Sequence, residues 1–565
     1  MRRSKKRSVL GIGNRRQFFG RAGGAALALT PVALLPACGG GHDDDEPAPT
    51  PPGSGTFQHG VASGDPLSDR VILWTRVTPA SGSTGSVAVT CTVATDTALA
   101  NVVAMLSLSA DATHDYTVKV DVTGLTPATT YYYRFSAAGA SSPIGRTRTL
   151  ASTTTSLRMA AVSCSNLAEG YFNAYARIAE RADLDLVVHL GDYIYEYGTD
   201  SSDVRAVEPS FEIVTLADYR QRHAQYKRDP DLQEMHRQHP VIAIWDDHDI
   251  ASNANATGSQ NHTEGVEGTW ADRVAAALQA FYEWLPVRMV DATNPRKNYR
   301  SFPIGNLVEL MMLEERVLAR SPQLPGNATL PETFRQRDAF LDPSREMIGS
   351  VQQDWLATHL RTSTAQWKFL AQGVMFAQLK LEAQTIAEGG GLFANADQWD
   401  GYQPARDRVY EVLKGDASHA AVGNVVVISG DAHSSWAADL TQDPSNTNVA
   451  GGGYDAATGA GSRAVEFVGT SVTSPMIIDT HGIAESLLQS VNPHFKYIDL
   501  ARHGYLLIDA NTTRVVGEWW FVDTVTSRDG GQSFATAFQV ADGTQHLVPA
   551  AQTGARANPP PLAPA

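Results

Sequence analysis

Cysteine is almost missing: Cys38, Cys91 and Cys164 are the only three in 565 residues. This excludes a disulfide framework, and a chain of this length, 43% hydrophobic, buries a large core without one. Positive charge is also scarce. Lys and Arg number 45 against 60 Asp and Glu, for a net charge of −15, and eight of the cations but none of the acids fall within the first 37 residues. The body from Cys38 onward therefore carries 37 cations against 60 acids, or −23. So acidic a body repels phosphates instead of releasing their counterions, which excludes non-specific nucleic-acid binding and obliges any anionic substrate to be met by local cations. Long apolar runs are lacking as well, since the small-residue stretch from Ala22 to Ala37 is too short and weakly apolar for a membrane span.

What the N-terminus does contain reads as an address. Arg2, Arg3, Lys5, Lys6 and Arg7 precede the pair Arg15-Arg16, then Gln17-Phe18-Phe19 and the apolar run. Residues 1–37 resemble a twin-arginine export signal, which implies the twin-arginine translocation machinery as partner and the periplasm or cell envelope as destination. Leu35-Pro36-Ala37-Cys38-Gly39 also resembles a lipoprotein processing site, with Cys38 as the lipidated residue and membrane anchor; Pro36 is unusual there, so lipidation stays open. Residues 38–55, rich in Gly, Pro and acid, read as a flexible linker, and 551–565, ending in PPPLAPA, as a disordered tail.

Two textures follow. Over residues 56–150, short alternating runs (RVILWTRV, GSVAVTCTVAT, YTVKVDVTGL, TYYYRFSAA) bounded by Gly, Pro, Ser or Asp predict a small all-β, fibronectin-like sandwich domain, with Cys91 as a core filler. Over 151–530, apolar runs alternate with helical patterns such as YFNAYARIAERAD and VAAALQAFYEWL, the α/β rhythm of sheets covered by helices.

The informative feature is how those strands end. LRMAAV runs into Ser163-Cys164-Ser165-Asn166, LDLVVHL into Gly191-Asp192-Tyr193-Ile194-Tyr195-Glu196, VIAIW into Asp246-Asp247-His248-Asp249, and NVVVIS into Gly430-Asp431-Ala432-His433. One such ending is an ordinary turn or helix cap. Four at the carboxyl ends of layered strands, where sheets of this type build their sites, point to shared chemistry. Carboxylates suit hard cations, imidazole suits transition metals, and thiolate and phenolate stabilise ferric iron. Clustered acids that repel each other in a low dielectric become favourable with multivalent cations between them, so the chain predicts a polynuclear metal site.

These endings resemble the strand-end motifs of the metallophosphoesterase superfamily, with GDYIY in the G-D-x-x-Y form and DDHD and GDAH in later places. SCSN, GDYIYE, WDDH, NADQWDGY, ISGDAHSSWA and FVGTSVTSP, in this order, are similar to the PhoD-type alkaline phosphatase/phosphodiesterase family, as is FQHGVASGDPLSDRVILWTRVTP of the N-terminal domain. The resemblance spans Phe57 to Val522. It implies a four-layer β-sandwich flanked by helices, and an exported phosphatase or phosphodiesterase that releases phosphate for scavenging.

It also implies a ligand set. Cys164, Asp192, Tyr195 and His433 would surround Fe³⁺, with Asp192 bridging to Ca²⁺ and Asp247, Asn253 and Asp431 supplying oxygen to the calcium side. Oxygen donors there fit calcium. The lone-His region of the superfamily corresponds to Trp367–Gly373, which contains no His, so Gln372 is the substitute ligand. Two motifs depart from the family's: Asp249 and Ser252-Asn253 replace D-D-H-E and a pair of Asn, and Leu313-Glu314-Glu315-Arg316 replaces L-D-x-R.

With cations neutralising the phosphate oxygens, His248 is the expected acid for the leaving alkoxide and Asp249 the group orienting its ring. Arg316 and the DQWDGY residues Asp397, Trp399 and Tyr402 are expected at the substrate mouth, a role loop packing explains equally well. Two other readings stand beside this one. A binding protein with a dead catalytic fold is opposed by the presence of Asp192 and His433; a phospholipase D-like diesterase of the same superfamily differs only in its pocket walls.

Overall fold

The computed structural model describes residues 56–79, 85–328, 333–476 and 482–564. The export signal, Cys38 and the linker read from the sequence lie outside them.

Two large sheets pack face to face. In the ten-stranded sheet, Ser156–Val162, Leu186–His189 and Pro240–Ala243 run parallel side by side. In the seven-stranded sheet, Trp367–Gln372 lies between Val308–Met312 and Val425–Ser429, again parallel, with Ala464–Val468 next. The two-residue period decides what each strand buries. Leu157, Met159 and Ala161 point inward onto a core shared with Phe369, Ala371, Val426 and Ile428 of the opposite sheet. Ala160 and Val162 point outward, beneath the helices Asn173–Ala179, Leu216–Tyr226, Pro230–Gln238 and Trp270–Trp284. On the far side Leu370, Val425 and Val427 meet the helices Gly349–Thr362 and Gln403–Lys414. Strands covered on both faces need apolar residues at every position, which is why LVVH and VVVIS are continuous. Each fully buried Val, Leu or Ile contributes roughly 1.5–3 kcal/mol. The order helix, sheet, sheet, helix is the four-layer α/β architecture.

The N-terminal sandwich is present, but it does not close at residue 150 as an independent pair of sheets. Val61–Gly64, Arg70–Arg76 and Thr117–Thr123 extend the ten-stranded sheet, with Ser63 opposite Pro240 and Gly64 opposite Val241 in parallel register. The second leaf is Val102–Ala110, Val87–Ala94 and Thr130–Ala137, and Leu73, Val89, Cys91, Tyr133 and Phe135 fill the space between. Gly64 permits the junction, because a Cβ there would stand 2.5 Å from the carbonyl oxygens of Val241 and Pro286.

The C-terminal segment expected to be disordered is docked instead. Arg237 donates to the Pro564 carbonyl at 2.6 Å, Tyr132 to that of Pro561 at 2.6 Å, and Arg158 to that of Gly554 at 2.5 Å. Ala563 N–H reaches Gln238 Oε1 at 2.8 Å. A Pro-rich strand makes no hydrogen bonds of its own, and its free carbonyls suit buried arginines supplied by the rest of the fold.

Candidate metal centre

The four strand endings converge, and they do so with strained backbones. Cys164, Asp192, Asn253, Asp431 and His433 all have φ between 53 and 60°. Non-glycine residues held in this left-handed region cost about 1–3 kcal/mol each, and such strain concentrates where side chains must be aimed. At Gly191, with φ of 106°, a Cβ would lie 2.6 Å from the backbone nitrogen of Asp246, so only glycine lets these two strand ends touch.

Three groups of buried donors result: Cys164, Asp192 and His433; Asp192, Asp247 and His248; Asp246, Asp247 and Asp431, the atoms of each group lying within 4.8 Å of one another. Asp192 and Asp247 are each shared, so the three groups form one continuous cluster. Tyr195 joins the first, its hydroxyl donating to Asp192 Oδ2 at 2.8 Å and lying 3.3 Å from His433 Nε2, while Ser474 donates to it at 2.6 Å. His433 Nδ1 is 2.8 Å from the Pro475 carbonyl, a bond that fixes its proton there and leaves Nε2 as the ligand atom.

The other expected ligands are less uniform. Asn253 gives its backbone N–H to Asp247 Oδ2 at 2.7 Å, while its side-chain amide donates to Gln260 and Gln323. Gln372 donates to the Val374 carbonyl at 2.8 Å, and its buried Oε1 has no hydrogen-bond partner. Its neighbour Gly373 abuts the cluster, since a Cβ there would be 2.5 Å from Asp246 Oδ1.

So many acids cannot all ionise in this environment without cations. Burial, reinforced by Asp247 and Asp431 against the opposing pull of His248, raises Asp192 to about 7. Asp246 is pushed up by burial despite Arg316. The Cys164 thiol is raised by burial and then by Asp192, Asp431 and Asp246, and the Tyr195 phenol by burial, Asp192 and Cys164. A multivalent cation reverses each of these shifts, so the donor set fits metal ions.

Three expectations need correction. Asp249 does not orient His248. Its two oxygens accept the backbone N–H groups of Asp192, Tyr193, Ile194 and Asp246 at 2.9–3.1 Å, tying the GDYI turn to the WDD turn. The ring of His248 is held instead by Glu196, Oε2 to Nδ1 at 2.8 Å, and stacks on Tyr195 with centroids 4.3 Å apart. Arg316 is fully buried and bonded to Asp246, to Asp397 at 2.8 Å and to Asp431 at 3.4 Å, with Asp247 at 3.2 Å. It is the counter-ion of the cluster. Asp397, Trp399 and Tyr402 are buried behind it: Asp397 pairs with Arg316 and Arg320, Trp399 Nε1 donates to Glu315 at 2.8 Å, and Tyr402 donates to the Ser321 carbonyl at 3.0 Å. They brace the wall instead of forming a mouth, because each polar atom is spent on a partner inside the protein.

Sequence reasoning passed over Glu196, Asp246, Glu314 and Glu315, although all lie inside the motifs it identified. Glu314 and Glu315 accept the Trp245 and Trp399 indoles at 2.9 and 2.8 Å, so within the altered L-E-E-R motif only the arginine reaches the cluster.

Comparison with known proteins agrees with this geometry. Residues 159–519 match the PhoD-like phosphatase family and residues 44–151 the PhoD-like phosphatase N-terminal domain. The chain is 36% identical over 467 residues to alkaline phosphatase D of Bacillus subtilis (strain 168), covering 80% of this chain and 75% of that protein. A solved structure of PhoD superposes with a TM-score of 0.78 at 32% identity, covering 89% of this chain and 93% of that one. The chain belongs to the PhoD-like phosphatase family and is a phosphoric ester hydrolase.

Proposed function

We propose that this enzyme is an exported, metal-dependent phosphatase and phosphodiesterase that releases phosphate for scavenging, with Fe³⁺ and Ca²⁺ as its metals. The observation that carries the metal reading is that Asp192 of one buried donor group and Asp247 of another lie within 4.8 Å of each other, which joins Cys164 and His433 to Asp246 and Asp431. Cys164, Tyr195 and His433 bring sulfur, phenol and imidazole to one end of the cluster, which suits ferric iron; Asp246, Asp247 and Asp431 bring only oxygen to the other, which suits calcium. Asp192 joins the two ends, and the amide oxygens of Asn253 and Gln372 would add to the donor set. Metal ions held there would supply Lewis acidity and positive charge for the phosphate oxygens.

The protein's own groups do the rest. In the metal-free protein burial opposes the charging of His248 while Glu196 and Asp247 favour it and raise the ring above its ordinary range; Glu196, which lies outside the metal donor groups, is the partner that would remain with cations in the cluster. Nδ1 is committed to Glu196, so Nε2 is the atom that delivers a proton to the departing alkoxide. Asp249 holds both turns still while this happens, and Arg316 keeps the carboxylates from repelling each other. Arg15-Arg16 supports export through the twin-arginine machinery to the periplasm or cell envelope, with Cys38 as a membrane anchor if it is lipidated. Metal analysis tests the reading: the purified enzyme is expected to contain iron and calcium, to show a visible charge-transfer band, and to lose monoester and diester hydrolysis in a calcium chelator. A colourless, fully active zinc enzyme would overturn it.

A further inference from the structure

A second polar cluster lies outside the strand-end site, between the helices Leu216–Tyr226 and Pro230–Gln238 and the strand Arg70–Arg76. At its hub is Lys227, 1% exposed, whose ammonium has no hydrogen-bond partner and lies 4.7 Å from the ring centroid of Trp74 and 5.5 Å from that of Tyr193. Around it, Nδ1 and Nε2 of His223, Nδ1 of His236, Nδ1 of His59 and Nε1 of Trp284 are also buried and unpartnered. The rings are neighbours: His223 stacks 6.4 Å from Trp284 and 6.1 Å from Tyr193, His59 meets Trp284 edge-on at 5.2 Å, and His236 lies 5.8 Å from Tyr193.

Two independent features give this cluster a sign. With Lys227 protonated the orphaned groups lean towards donors, since an ammonium and an indole N–H cannot accept, while each neutral imidazole can turn its one N–H to the same point. The charges that add to burial at these imidazoles are all positive as well: Arg76, Arg228 and Lys227 at His59, Lys227 and Arg222 at His223, and Lys227 and His189 at His236. A buried cation without a counter-charge is among the costliest arrangements a protein can hold, cation–π contact repays only a small part of that cost, and burial accordingly pushes the Lys227 amine well below its usual range, so that only an anion beside it would keep it charged.

We propose that this cluster is a binding site for one small monovalent anion of chloride size, held by the Lys227 ammonium and the Trp284 indole N–H with the neutral imidazoles of His223, His236 and His59 around it. The ion would supply the missing counter-charge and lock the N-terminal strands onto the catalytic layer, because its donors come from both. Trp284 closes the helix Trp270–Trp284, and His59 lies two residues before the strand Val61–Gly64.

Bromide is the probe. Crystals of the wild-type enzyme grown in sodium bromide are expected to show an anomalous peak beside Lys227 Nζ and Trp284 Nε1. In solution, the melting temperature is expected to rise and saturate with bromide or chloride, compared with sodium gluconate at equal ionic strength. Lys227→Met should abolish this halide-specific rise. Trp284→Phe, which keeps a ring but removes one charge-neutral donor, should weaken the apparent halide affinity roughly tenfold. Should Lys227→Met not fold, the wild-type crystal and Trp284→Phe still decide the matter. Identical melting of the wild type in halide and gluconate, with no anomalous peak, would show that the cluster holds only water and overturn the proposal.

Discussion

Glu196 Oε2 lies 2.8 Å from Nδ1 of His248, while the other Glu196 oxygen accepts the backbone N–H of Ser252 and the amide of Asn261, each at 2.8 Å. The imidazole is therefore oriented by a carboxylate that is itself held in place. His248→Ala should lower turnover of alkyl phosphate esters by roughly 10²- to 10⁴-fold with metals retained, and should lower turnover of nitrophenyl esters much less, because a good leaving group hardly needs the proton. Glu196→Gln should act in the same direction by about 10- to 100-fold. Equal slowing of both ester classes, or loss of iron or calcium from His248→Ala, would place His248 among the ligands.

Asp247 belongs to two of the three donor groups. Asp247→Ala should therefore remove metal together with activity, read by elemental analysis of the purified variant beside its hydrolysis rate. A variant that is inactive yet fully loaded would count against a ligand role.

Asp249 should matter for shape, not for proton transfer. Asp249→Ala leaves the four N–H groups of Asp192, Tyr193, Ile194 and Asp246 without their acceptor, and each buried unsatisfied group costs about 1–3 kcal/mol. The expected outcome is a clear drop in unfolding free energy and weaker metal retention, with no dependence on the leaving group. Denaturant titration and metal analysis check it.

Among the described residues Arg316 is the one guanidinium touching Asp246, Asp397 and Asp431 at once. Arg316→Met should destabilise the metal-free protein by about 3–5 kcal/mol, since uncompensated buried carboxylates remain. Arg316→Lys should recover only part, as a point charge cannot fork between several acids. Chemical unfolding of the three proteins after chelation decides this.

Burial also sets an acid limit away from the metal centre. It lowers His239 to about 3, while Nε2 stays 3.0 Å from the Ile178 carbonyl. The sign follows from proton counts: below an unfolded value of about 6.5 the unfolded chain takes up a proton that the folded chain refuses, so this residue's contribution to stability falls as pH falls from 6.5 towards 3. His239→Gln should flatten the wild-type stability slope by about 1 kcal/mol between pH 6.5 and 5.5, where the unfolded imidazole is only partly protonated, rising towards about 1.4 kcal/mol per pH unit at lower pH. Urea unfolding of both proteins at pH 6.5, 6.0 and 5.5 is the measurement, and parallel slopes would refute it.

By itself the sequence determined the layered α/β architecture, the strand endings and the residue types gathered at them, because these are written in local patterns: a period of two for the strands, and a polar turn at each carboxyl end. Cys91 was legible for the same reason, as an apolar position within one strand. What the tertiary structure decided is which neighbour each polar group takes. His248 has an adjacent acid in Asp249, yet the ring pairs with Glu196, 52 positions away, because the backbone N–H groups of two turns reach the Asp249 carboxylate first. Arg316 and the DQWDGY residues look like surface recognition groups until the fold closes over them, when a buried guanidinium must satisfy every carboxylate within reach. The Pro-rich C-terminus and the N-terminal sandwich depend in the same way on distant partners, one on buried arginines and the other on the open edge at Pro240–Ala243. Local pattern fixes what a residue can do, and long-range packing fixes what it meets.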